Sequence, residues 1–353
     1  MPARRAVWLL ASALAAAGPP QFVEHRLPAP PGETAAGFAL DGRTLVTWGA
    51  RVTVRELPGG APRVLASEAR AFGPGGCLLR MEGGHPELVL NQQGGKQALI
   101  RLRSADGARD VIATGIDAPD ILPAVLHGRS GVVLVQKGIQ VRFYQVPAER
   151  GAPWTSRDLY SIYTPAAQGG LELADIDADG RTDILCGNYW LRSPERFELP
   201  WRLFAINTWT ETDRSGLLRL AWLPDARGVA AAQREMAPAR LALFLRPADP
   251  RQLWTGRRVE AVPDLNRPNA LAIADFDADG RRDLLVAESA GAGRLLVLFH
   301  QEGGYTPHEV ARGRSFRHAA AADLNADGRP DILALGPGLI SWWENRPPRP
   351  GTR

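Results

Sequence analysis

Three segments of this chain repeat almost residue for residue. Leu171 to Leu185 reads LELADIDADGRTDIL, Leu271 to Leu285 reads LAIADFDADGRRDLL, and Ala319 to Leu333 reads AAAADLNADGRPDIL. The first Asp of each falls at 175, 275 and 323, at intervals of 100 and 48. A period near fifty residues is the signature of a repeat architecture. The long interval implies a missing copy at its midpoint. Leu218 to Gly228 lies there, with the apolar run kept and the acids lost, only Asp225 remaining in its turn.

A second recurring segment fixes the same period. Trp154–Leu159, Trp254–Val259 and Tyr305–Val310 share an aromatic start and an aliphatic end around small, basic and charged residues. Phe22–Leu27 is a fourth copy, and Pro62–Leu65, Arg109–Ile112 and Trp201–Phe204 are weaker ones, so the count is seven. Within a unit, a short apolar run, a turn, a second apolar run such as Leu284–Ala287, an alternating run such as Arg294–His300 and a Gly-rich turn lead to this polar segment. Four short antiparallel strands per fifty residues describe a propeller blade. The last unit runs out at Ser341–Asn345 without its polar strand, while Phe22–Leu27 stands spare at the other end. Pairing the two closes the ring and leaves no free sheet edge. The expected fold is therefore all-β: a seven-bladed β-propeller, four antiparallel strands per blade, closed by the N-terminal strand. Ala230–Arg240, the segment nearest to helical periodicity, is expected to be a loop or a single turn.

Each clear repeat carries Asp-x-Asp/Asn-x-Asp-Gly-x-x-Asp. A hard cation such as calcium takes six to eight oxygens. Alternate residues of a tight loop can turn their oxygens to one centre: Asp175, Asp177 and Asp179; Asp275, Asp277 and Asp279; Asp323, Asn325 and Asp327. Gly180, Gly280 and Gly328 permit the sharp turn. Arg181, Arg281 and Arg329 would offer backbone carbonyls, and Asp183, Asp283 and Asp331 would close the shell. Carboxylates so close repel one another without a cation. An EF-hand loop ends in Glu at position 12; here that position is Cys186, Val286 or Ala334, inside an apolar run. Three calcium sites are expected.

Over 171–345 these residues resemble the FG-GAP/VCBS-type repeats of integrin α-subunit propellers and many exported bacterial proteins. The resemblance implies a structural metal in the loop between the first two strands of a blade. It is weak over 22–170, where a loop such as Phe38–Arg43 lacks the acid ladder, and calcium is not carried over to those blades.

The remaining features bound the function. Residues 1–18 read as a signal peptide, with Arg4 and Arg5 before an apolar run and Ala15–Ala17 at the cleavage position. Residues 19–346 would form the propeller and 347–353 a disordered tail. No apolar run is long enough to span a bilayer. A secreted, periplasmic or cell-surface location is expected. The net charge of +4 is spread without a basic run, and of 42 basic residues only Lys96 and Lys137 are lysine, a composition bias that does not suggest nucleic-acid binding. Cys77 and Cys186 each adjoin apolar residues and read as buried free thiols. None of the six histidines has metal-ligand spacing, and no nucleophile-elbow, Cys-x-x-Cys or phosphate-loop pattern occurs. The most site-like segment is Cys186–Phe197, read as a long loop in which Tyr189, Trp190 and Arg192 would grip a sugar or a peptide. The same pair also reads as packing, like Trp342 and Trp343. The expectation is a monomeric, non-catalytic binding module for a protein or carbohydrate partner. The alternative is a carbohydrate-active lyase, because Tyr-Trp after a calcium loop is similar to the layout of certain propeller sugar dehydratases.

Overall fold

A computed structural model describes residues 19–28, 35–67, 71–80, 86–94, 96–103, 107–149 and 151–348. The expected signal peptide lies outside them, as do residues 349–353 of the expected tail. Among the described residues twenty-eight strands form seven four-stranded sheets, and every pairing within a sheet is antiparallel. Blade 1 runs from Gly37 to Ser67, blade 2 from Phe72 to Thr114, blade 3 from Ile121 to Ser161 and blade 4 from Leu171 to Ala205. Blade 5 spans Leu218 to Arg258 and blade 6 Pro268 to Ala311. Blade 7 takes His318–Ala322, Asp331–Gly336 and Leu339–Arg346 from the C-terminal end and Gln21–Arg26 from the N-terminal end. The closing pairs run from Gln21 opposite Arg346 to Arg26 opposite Ser341. Each of the seven polar segments read from the sequence overlaps an outer strand.

Burial explains why each strand has its composition. The second strand of a blade is covered on both faces by the neighbouring blades. Glu87–Gln92, Gly228–Gln233, Asp283–Glu288 and Asp331–Gly336 are therefore buried throughout and read as unbroken runs rather than alternations. The first strands crowd the axis, and small residues such as Ala319–Ala322 fit there. Outer strands such as Thr255–Arg258 are wholly exposed and polar. Apolar clusters fill the spaces between blades. One joins Trp190 and Leu185 of blade 4 to Val229 and Phe244 of blade 5; another joins Leu333 and Trp342 of blade 7 to Leu45 of blade 1. Seven such clusters occupy the seven interfaces of the ring.

Two expectations need correction. Ala230–Gln233 belongs to the buried second strand of blade 5, and only residues 234–240 form the turn. The alanines favour helix, but burial between two sheets overrides propensity. Tyr189–Arg192 is likewise the third strand of blade 4, paired on both sides, and not a loop. Cys77 and Cys186 are buried free thiols. Burial pushes the Cys77 thiol up to about 12 and that of Cys186 up as well. Among the described residues no helix is long and apolar enough to cross a membrane.

Candidate metal centres

The three Asp loops share one backbone path. In blades 4, 6 and 7 the loop leaves the first strand at position 1 and rejoins the second at position 9, where Asp183, Asp283 and Asp331 pair with Ala174, Ala274 and Ala322. The position 1 carboxylate folds back over the turn. Asp175 accepts the N–H groups of Asp179 and Gly180 at 3.0 and 2.9 Å. Asp275 does the same for Asp279 and Gly280, and Asp323 for Asp327 and Gly328. Two residues adopt left-handed backbone in each loop. Gly180, Gly280 and Gly328 have φ of 82°, 85° and 83°, and Ala178, Ala278 and Ala326 have 61°, 62° and 64°. Glycine adopts that region freely, whereas alanine does so at a cost.

Position 9 anchors the loop to the blade. Each of these Asp residues is completely buried and accepts two backbone N–H groups. Asp183 takes Ile176 and Ser193, Asp283 takes Phe276 and His300, and Asp331 takes Leu324 and Asn345, at 2.7–3.1 Å. Burial nevertheless raises their pKa values, to about 7 for Asp183 and Asp283 and about 6 for Asp331. Asp277 is also raised, by burial and then by the charge of Asp279.

Carboxylate oxygens of Asp175, Asp177 and Asp183 lie within 4.8 Å of one another, as do those of Asp275, Asp277 and Asp283. In the third loop Asn325 supplies an amide at position 3. The donor set suits a hard cation, and one atom speaks for it directly: Oδ1 of Asp177 is buried with no hydrogen-bond partner. A bare carboxylate oxygen in that position carries a desolvation cost that a cation would offset. Position 5 is arranged differently. Asp179 ion-pairs with Arg181 and is reached by Arg192, while Asp279 binds Arg281 at 2.6 Å. Arg329 turns away, to the carbonyl of Asn345 at 3.2 Å. Positions 1, 3 and 9 thus converge in blades 4 and 6, and position 5 lies against the guanidinium two residues on.

Tyr189, Trp190 and Arg192 do not form one surface. Trp190 is 0% exposed and Tyr189 8%, so neither offers a ring to a ligand. Trp190 packs on Phe204 between blades 4 and 5, while Tyr189 packs toward blade 3. Alternation along a strand sends neighbouring side chains to opposite faces. Arg192 ends the strand at the Asp loop, with Nε donating to Asp177 at 2.5 Å.

Fold and loops together define a seven-bladed β-propeller with Asp-rich turns in blades 4, 6 and 7. Residues 275–334, from the loop of blade 6 into the second strand of blade 7, match the FG-GAP-like repeat, in keeping with the family resemblance of the Asp ladders. No curated protein matches the chain by sequence. Among solved structures it is similar to the Cps50 (Swd1) β-propeller domain of Myceliophteria thermophila, at 14% identity and a TM-score of 0.62, covering 91% of this chain and 99% of that one. It is also similar to YCF48 from Cyanidioschyzon merolae, at 13% identity and a TM-score of 0.58, covering 91% and 98%. Sqt1 of Saccharomyces cerevisiae gives 12% and 0.54, covering 93% and 98%. At such identities the likeness is one of fold.

Proposed function

We propose that the chain is an exported calcium-binding propeller that acts as an interaction module for a protein or carbohydrate ligand. The carrying observation is the repeated acid cluster, with the partnerless Asp177 Oδ1 inside it. In this reading Asp175, Asp177 and Asp183, with their counterparts in blade 6 and the Asp323, Asn325 and Asp331 set in blade 7, hold the cation. It braces the turn and has no chemical role in turnover. Positions 5 and 7, Asp179 and Arg181 with their counterparts, complete the shell through an oxygen and a backbone carbonyl once Asp179 and Asp279 exchange their arginine partners for the cation. Residues 1–18 direct export to the periplasm, the cell surface or the medium, and are cleaved; N-terminal sequencing of the mature protein tests this.

A catalytic propeller would need a free acid or base at the axis. The axial Asp120 pairs with Arg219, and Nε2 of His318 lies 2.6 Å from the Ala36 carbonyl; a lyase would have to use Glu172, on the first strand of blade 4, whose pKa burial raises to about 7. The deciding experiment is a melting curve across a calcium titration, followed by glycan and peptide arrays on the loaded protein. A midpoint unmoved from chelator to millimolar calcium would reduce the loops to Asp-Gly turns.

A further inference from the structure

The first strands begin at the end of the axis opposite the Asp loops. A cavity of about 240 Å³ lies on the axis, bordered by Asp120, Arg219, Asn269 and His318, one residue each from blades 3, 5, 6 and 7 or the segments entering them. The Arg219 guanidinium crosses it, donating from Nη1 to Asp120 at 3.1 Å and from Nε to the Asn269 carbonyl at 2.6 Å. The other Asp120 oxygen accepts the Gly170 N–H at 2.9 Å. The one carboxylate at the cavity is therefore already occupied.

The surroundings are cationic. Arg219, Arg234 and Arg317 all lie close enough to His318 to depress its pKa, which burial, the largest cause, brings down to about 4. A neighbouring cavity, bordered by Arg234, Glu235, Arg267, Asn269 and Ser289, shares Asn269 with the axial one. Met236 ties its two sides together, accepting the Arg267 N–H at 2.9 Å. Among the described residues, no carboxylate comes within ion-pairing distance of Arg234, Arg267 or Arg317, although guanidinium–carboxylate pairs occur widely elsewhere in the ring. Arg267 and Arg317 are exposed and Arg234 half-buried. Against Arg219, Arg234 and Arg267, which border the two cavities, stand Asp120, which is paired, and the exposed Glu235.

Like charges gathered in a concave mouth raise a positive potential there, and the planar guanidinium fork matches the oxygens of an oxyanion. We propose that this mouth is an anion-binding site that takes the carboxylate, sulfate or phosphate group of a small ligand, held by Arg234 and Arg267 beside Asn269. The cavity that Arg234 and Arg267 border measures about 470 Å³, within the roughly 300–1,000 Å³ of ordinary ligand pockets, so it has room for a small acidic ligand. The proposal rests on the interaction-module reading and adds the chemistry of the ligand.

Isothermal titration of the calcium-loaded full chain with glucuronate, inorganic sulfate, inorganic phosphate and neutral glucose tests it. The anions are expected to bind, more weakly as salt rises, and glucose not; the ranking of the three identifies the group. The R234Q/R267Q variant should lose at least about tenfold in affinity, as expected for removing charge-assisted bonds, with an unchanged melting temperature. R258Q, on an outer strand, should bind as the wild type does. Absence of binding by all three anions at millimolar concentration, or undiminished binding by the double variant, overturns the site. If a neutral glycan or peptide found on the arrays still binds the double variant, the interaction module stands and the anion site alone falls.

Discussion

Blade 5 turns from its first strand to its second in four residues, Pro224 to Arg227, where its neighbours in blades 4 and 6 take eight. Blades 1 and 3 make the same connection in two, Gly42-Arg43 and His127-Gly128, with left-handed backbone at Gly42 and at both residues of the second turn. The blades nevertheless carry the same four strands and bury the same second strand. The Asp loop is therefore no part of what makes a blade. It is a local unit set on a hairpin, organised by its own carboxylate-to-backbone bonds and fastened below by one buried Asp. The short turns need no such fastening because they contain too few free N–H groups to require it. Cation binding should consequently stabilise blades 4, 6 and 7 and leave the path of blade 5 unaltered.

The sharpest way to break this contrast is to remove the fastening. Asp283→Ala strands the N–H groups of Phe276 and His300, and each buried donor left unsatisfied costs about 1–3 kcal/mol. Asp225→Ala in blade 5, whose side chain is exposed, should leave the denaturation midpoint within error. Equal losses in the two would mean that the loops are not distinct units.

Calcium itself comes next. Saturation at a hundredfold excess over Kd is worth about 2.7 kcal/mol per site, so a chelator should lower the melting temperature and Asp279→Ala should blunt the response. Replacing residues 275–282 by Asn-Gly should yield a folded protein with the response reduced and not abolished. Misfolding of that chain would show that blade 6 depends on its loop.

A pH series sharpens the same comparison. Asp183 and Asp283 hold protons to about 7 in the fold but release them near 3.9 when unfolded. Between those values the folded state binds more protons, so stability in chelator should fall as pH rises from about 4 through 7. Saturating calcium favours the ionised carboxylates and should flatten that slope. An unchanged slope in calcium would place the cation elsewhere.

The smallest effect belongs to Ala278, at φ 62°. Ala278→Gly should raise stability by at most about 1 kcal/mol, the left-handed penalty of alanine less the added chain entropy of glycine. Ala231→Gly, in the buried second strand of blade 5, should do the reverse.

The ring itself was legible because its determinants are local and periodic. The Asp ladders set the turns, the apolar runs set the buried strands, and the spare Phe22–Leu27 segment announced closure, which the pairing of Phe22 with Asn345 carries out. The cluster at positions 1, 3 and 9 was legible for the same reason, since all its members come from one nine-residue stretch. What the sequence could not supply was which face of a strand meets which neighbour. Tyr189 and Trp190 look like a ligand platform when read along the chain, yet the pairing with Phe204 and Ala205 and the packing of adjacent blades bury both. Along the chain position 5 reads as a cation ligand; in the fold Arg181 pairs with Asp179, and Arg192, from a strand 13 residues on, also reaches it.

The axial mouth lies wholly beyond such reading. Asp120, Arg219, Arg234, Arg267 and His318 come from four blades or the segments beside them, carry no common motif and look like scattered surface charge. Sequence by itself determined the repeat, the blade count and the acid loops, because each is written within a span of some fifty residues that the backbone folds on its own terms. Only the closed ring decided what faces the axis, because bringing seven first strands together around one line is a property of the whole circle and of no single blade.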